Sequence, residues 1–184
     1  MDKRCIFLSL SVLLALGGCA QEAPPPAQGG ETAWEQAQAW VELDAVPEGG
    51  TELELDEFPG AVFTCTRTGL TVTREGRESQ LFSFLSGDIY LWDLTGDGLP
   101  ELCAQTSVGS GIVHDSILVY DLAAGHVYSL SDRGEYDYAL SLEGGTLMGT
   151  RTACPRGADD PEALTGPLTL EGRKKARLAI ASET

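Results

Sequence analysis

What most narrows the folds open to this chain is an alternation of side chains with a period of two, cut at short intervals by glycine. In "YDYALSL", Tyr136, Tyr138, Leu140 and Leu142 fall on one face and Asp137, Ala139 and Ser141 on the other. A strand throws successive side chains to opposite sides of its sheet, so this pattern buries one face and wets the other. "GIVHDSILVYDL" differs, because Val113, Ile117 and Val119 share one side and Ile112, Leu118 and Tyr120 the other. Apolar groups on both sides predict a central strand, covered from above and below. Between such runs stand "REGRE", "LAAGH", "SDRGE" and "LEGGT", where glycine supplies the positive φ of a tight reversal. Short strands joined by short turns predict an all-β fold, mainly an antiparallel meander or sandwich.

Further strands are expected over 61–67, 70–74, 80–85, 88–93, 101–108, 126–130, 146–151, 167–170 and 176–181. Only "ETAWEQAQAWVEL" looks helical, with Trp34 more than one turn from Trp40 and Val41, and it reads as one short N-terminal helix or a piece of linker. "PRGADDPEALTG", with two prolines and no periodicity, reads as an exposed loop. No second copy of the acidic stretch around Asp93 occurs, which argues against a propeller built from several such blades.

The N-terminus carries an address. "MDKRCIFLSLSVLLALGGCA" places Lys3 and Arg4 before an apolar run from Ile6 to Leu16, then Gly17, Gly18 and Cys19. The order is that of a secretory signal, and the apolar run is too short for an ordinary spanning helix. "LGGC" resembles the lipobox of bacterial lipoproteins, whose cysteine is lipidated before the signal is cut. The resemblance implies a signal peptide over 1–18, lipidation at Cys19, and anchoring to the extracytoplasmic face of the cell membrane without a spanning segment. "AQEAPPPAQGG" cannot bury enough apolar surface to fold and suits a flexible tether, so 19–30 is read as lipidated cysteine plus spacer and 31–184 as a single extracytoplasmic β domain.

Charge excludes some partners. The chain has a formal net charge of −16, and without residues 1–18 it is about −17. From Glu22 to Glu57 every ionisable side chain is an acid. Phosphate and anionic lipid would be repelled, so nucleic acid is not an expected partner and the only membrane contact expected is the lipid anchor. After Cys5 and Cys19, three cysteines remain: Cys65, Cys103 and Cys154. Secretion permits a disulfide. Cys65 and Cys103, both in strand-like segments, are slightly the favoured pair, and buried free thiols are equally expected.

"DLTGDGLPEL" carries the candidate chemistry. Calcium takes six to eight oxygen ligands, and alternate positions here offer Asp93, Thr95, Asp97, the Leu99 carbonyl and Glu101, while Gly96 and Gly98 let the backbone curl. The twelfth position is Ala104 rather than glutamate, and no helical pattern flanks the loop, so it is not an EF-hand. The stretch resembles the D-x-N-G-D-G-x-x-D loops of FG-GAP and VCBS extracellular β-repeats. That resemblance implies a structural calcium ion held by Asp93, Asp97, Glu101 and the Leu99 carbonyl, with Thr95 for the usual asparagine and Glu101 for the usual aspartate. The competing reading is a plain tight turn in which Asp93 and Asp97 accept bonds from their own backbone. More broadly, "EFPGAVFTC", "DLTGDGLPELCAQTSVGSGIV", "VYDL" and "LSDRGEYDYALSLEGG" resemble an extracytoplasmic domain of clostridial lipoproteins that is also appended to some BlaR-type membrane metallopeptidases. The likeness implies a bacterial surface module without an assigned activity.

Catalytic motifs are absent from the sequence. There is no H-E-x-x-H and no S-x-x-K, and "SVGSG" is not the G-x-S-x-G elbow. Ser110, His114, Asp115 and Ser116 lie close in sequence, but neighbouring strand residues point apart and cannot form a triad. Cys103, Cys154, His114 and His126 lack the C-x-x-C spacing of a zinc site. Asp159 and Asp160 sit in the expected loop, and "RKKAR" is one short basic run. Tyr90, Trp92, Tyr120, Tyr128, Tyr136 and Tyr138 offer either a ligand-facing surface or cross-strand packing. The sequence therefore predicts a membrane-anchored module that binds or senses a protein or small molecule at the cell surface. The rival expectation is a cell-surface hydrolase with catalytic groups on separated loops.

Overall fold

The structure, a computed structural model, describes residues 34–132, 134–153, 163–171 and 177–181. These belong to the compact unit Glu31–Thr184. The signal, Cys19, the tether, Cys154, Asp159, Asp160 and residues 173–176 of the basic run lie outside the described residues.

Strand is the dominant element of the described chain, and none of its described helical segments is longer than a single 3-10 turn. β1 (Gln38–Val41) is followed by a single 3-10 turn, Leu43–Ala45. β2 (Thr51–Leu53), β3 (Ala61–Thr66), β4 (Gly69–Arg74) and β5 (Arg77–Ser83) form one antiparallel meander. β6 (Leu85–Trp92), β7 (Glu101–Val108), β8 (His114–Asp121) and β9 (His126–Leu130) form a second, with β1 added along the free edge of β6. β10 (Tyr136–Glu143), β11 (Thr146–Ala153), β12 (Leu164–Glu171) and β13 (Arg177–Ile180) form the third. All registered pairs are antiparallel, as the alternation and the glycine turns predict.

The helical expectation for "ETAWEQAQAWVEL" is corrected: its residues Gln38–Val41 form an edge strand, with Gln38 opposite Leu91. Packing overrides local periodicity here. Trp40 meets Phe63 edge-on, ring centroids 5.2 Å apart, and Val41 is buried in the same core. An extended backbone reaches both that contact and the unpaired edge of β6.

Two apolar cores lie on opposite faces of the β1–β6–β7–β8–β9 sheet. Leu102 and Ala104 of β7 join Phe63, Cys65, Leu70, Val72 and Phe82 of the β2–β5 sheet in the first core. Cys103, between them, turns the other way and joins Tyr138, Leu147, Leu168 and Leu178 of the third sheet. β8 divides in the same manner, with Leu118 packed on the first core and Ile117 and Val119 in the second. The middle sheet is thus sandwiched, which is the reason β8 is apolar on both faces.

Of the two cysteine expectations, the structure has the buried free thiols and not the pair. Cys65 and Cys103 are free, buried thiols. They belong to cores on opposite sides of the middle sheet, so no disulfide joins them. Burial raises the pKa of both, and the Glu101 charge adds to the rise at Cys103. The aromatic set is packing rather than a platform. Tyr90, Trp92, Tyr128 and Tyr136 pack on the second core, Tyr138 is part of it, and Tyr120 packs on the first.

Candidate metal centre

The β6–β7 connection is the acidic stretch, and its backbone is gathered onto carboxylates. Asp93 Oδ1 accepts the N–H groups of Gly96 (2.7 Å) and Asp97 (3.0 Å), and Oδ2 accepts that of Gly98 (2.8 Å). Asp97 Oδ1 accepts the Leu99 N–H at 2.9 Å. Gly96 and Gly98, at φ +77° and +88°, supply the left-handed residues that wrap the chain around Asp93. The loop is tied at its entry too, where the Asp93 N–H donates to the Trp34 carbonyl at 3.2 Å.

Glu101, the first residue of β7, closes the loop from below. It is only 2% exposed. Oε2 accepts the N–H groups of Leu94 (2.6 Å) and Thr95 (3.2 Å), and the Thr95 hydroxyl donates to Oε1 at 2.9 Å. Burial pushes the carboxyl pKa up to about 7; the three hydrogen bonds pull against that rise, and the Asp121 charge adds to it. Asp121 ends β8, one step beyond the Leu102–Tyr120 pair, and so lies across from Glu101. It is itself buried and accepts the Ala124 N–H at 2.7 Å, which shapes the β8–β9 turn.

Of the sequence candidates, Asp93, Asp97 and Glu101 are brought together, with one carboxylate oxygen from each within 4.8 Å of the others. Oxygens bound to one calcium ion at about 2.4 Å are separated by no more than about 5 Å. The spacing therefore fits a single ion as it stands. The donors are hard anionic oxygens, and among the described residues no lysine or arginine forms an ion pair with any of them. Thr95 is in the loop, but its hydroxyl is directed to Glu101. Leu99 is held through its N–H. The hydrogen bonds on Asp93 and Asp97 are equally those of the plain turn, so both readings of the loop share one backbone. Asp121 was not singled out by sequence reasoning; an acid at a strand end in "VYDL" is a weak signal, and only the β7–β8 register sets it beside Glu101.

The residues of the rejected triad diverge. Asp115 accepts a short hydrogen bond from the Ser107 hydroxyl, Ser116 donates to Ser131 at 3.1 Å, and His114 Nδ1 lies 3.9 Å from Asp137 Oδ1. His126 stacks edge-on with Tyr128. Among the described residues, the Asp93, Asp97 and Glu101 group is the one cluster of histidine, cysteine or acidic ligands close enough to share a metal ion. No protein-family model, no curated protein and no solved structure matches the chain.

Proposed function

We propose that this protein is a lipid-anchored bacterial surface module that binds or senses a partner outside the cytoplasm, with a structural calcium ion in its β6–β7 loop. The observation that carries the calcium reading is the convergence of the Asp93, Asp97 and Glu101 carboxylates within 4.8 Å. The ion would bridge the exposed loop to the buried start of β7 and fix the turn of the middle sheet. The anchor rests on "LGGC" and Cys19, and the acidic composition keeps the domain from anionic surfaces.

Calcium is titrated calorimetrically into the calcium-stripped full chain and into Asp97→Ala, with melting followed in parallel. Asp97 is the exposed member and holds one turn bond, so its loss leaves the cores intact. Saturable binding with Kd on the order of 10⁻⁴ to 10⁻³ M is expected, raising the melting temperature in the parent and not in the variant. No heat and no shift at several millimolar calcium would make the loop a plain turn. The anchor is tested separately with labelled palmitate, since label retained by Cys19→Ala would remove Cys19 from the reading.

A further inference from the structure

The outer face of the β2–β5 sheet carries a cluster of threonines. Phe63, Cys65, Leu70 and Val72 point inward, so Thr64, Thr66 and Thr71 point outward. They line a groove of about 520 Å³ whose described lining side chains are all uncharged, with Glu52 of β2 opposite Thr64 at its margin. Thr64 and Thr71 sit directly opposite each other on β3 and β4. Gln80 of β5 is fixed in place because Nε2 donates to the Leu70 carbonyl at 3.1 Å and, through a short bond, to that of Phe82. Both amide protons are directed to backbone, which leaves Oε1 as an acceptor at the groove.

Phe84 stands at the lip. It has φ +59°, a left-handed conformation that bulky residues avoid, and it is 60% exposed, whereas every other described phenylalanine, tyrosine or tryptophan ring is buried or half-buried. Its backbone is held there from both sides: the N–H donates to the Thr68 carbonyl at 2.6 Å, and the carbonyl accepts the Ser107 N–H at 2.8 Å. Packing between two sheets thus maintains a strained backbone whose effect is to hold a phenyl ring outside the core. Strain kept in this way is a signature of a site.

We infer that this groove binds an uncharged saccharide, a short chain of hexose or N-acetylhexosamine units, with the Phe84 ring against a sugar face and the Thr64, Thr71 and Gln80 oxygens at its hydroxyls. A sugar ring is amphipathic in the same sense as the groove, with C–H faces for the phenyl ring and threonine methyl groups and O–H edges for their oxygens. The described lining offers no cation and Glu52 stands opposite Thr64, so an anionic ligand is disfavoured, and the groove has too little aromatic lining for a purely apolar one. The inference rests on the reading of the domain as a surface binding module and names its ligand class, and it is independent of the cation loop.

The test uses the full chain in a detergent without a sugar headgroup, with chitotriose and maltotriose as probes. Saturation-transfer NMR is expected to show transfer to sugar ring protons of at least one, with affinity then measured by calorimetry. Phe84→Asn keeps a residue that tolerates positive φ while removing the ring, and is expected to weaken binding roughly tenfold. Thr71→Val keeps shape and strand preference while removing one hydroxyl, and is expected to weaken it roughly fivefold. The second variant carries the test if the first does not fold. No transfer to either trisaccharide at several millimolar, or binding unchanged in the folded variants, overturns the inference. Calcium binding and Cys19 lipidation are read in separate experiments, so a failed saccharide test leaves the module reading standing.

Discussion

Replacing Glu101 by glutamine separates the cost of a buried charge from the hydrogen bonds that hold it. In calcium-free buffer the carboxyl ionises at about pH 7 in the folded protein, against an ordinary value of 4.5. A carboxyl whose pKa is higher folded than unfolded contributes stability that is fully present below the unfolded value and is lost as pH rises through the folded one. The window is therefore pH 4.5 to about 7. At about 1.4 kcal/mol per pH unit the loss is at most about 3.5 kcal/mol, and nearer about 2 kcal/mol once water at the loop mouth screens the charge. Glutamine is nearly isosteric. Its oxygen can still accept from the Leu94 and Thr95 N–H groups, and its amide can donate to the Thr95 hydroxyl oxygen. Melting of Glu101→Gln in EDTA is thus expected to exceed that of the parent by roughly 5 to 8 °C at pH 8, with the two curves converging below pH 5. Calcium at pH 8 should raise the parent and leave the variant unmoved. A variant that melts several degrees below the parent at pH 8 in EDTA would refute the reasoning, because the hydrogen bonds to the carboxylate would then outweigh its desolvation.

Asp93→Ala removes the acceptor of three loop N–H groups, and is expected to cost roughly 1 to 3 kcal/mol and to speed amide exchange at Gly96 and Gly98, as NMR would register. Cys65 and Cys103 are expected to resist a thiol reagent at pH 8 in the native protein and to react on denaturation without prior reduction; reaction only after reduction would mean that they are paired. Phe63→Ala removes a fully buried ring and its edge-on contact with Trp40, and should lower stability by about 3 to 5 kcal/mol in urea unfolding. Gly166→Ala would place a Cβ 1.9 Å from the Ala181 carbonyl oxygen, so it should loosen β13 and increase proteolysis near the C-terminus, whereas an unchanged digestion pattern would contradict that close approach.

Much of the architecture is written locally. The alternation at 136–142 and the two-sided apolar pattern at 112–120 are consequences of strand geometry alone, and they foretell both β10 and the sandwiched position of β8. The acidic loop is local as well, since Asp93, Asp97 and the two glycines act within six residues and their turn closes on its own backbone. Where a residue's neighbours come from other strands, the sequence is silent. Within "ETAWEQAQAWVEL", Gln38–Val41 becomes a strand because β6 leaves an edge open and Phe63 offers its ring to Trp40. Cys65 and Cys103 look equally strand-like, yet their strands join different sheets and their side chains enter different cores. Burial of Glu101 against Asp121 follows from the β7–β8 register, and the backbone of Phe84 is held by Thr68 and Ser107 from two different sheets. A chain specifies its turns and strand periods through short-range sterics. Which side chains then share a charge, a core or a groove is settled by how three sheets bury their apolar faces together, and that burial is a property of the whole domain.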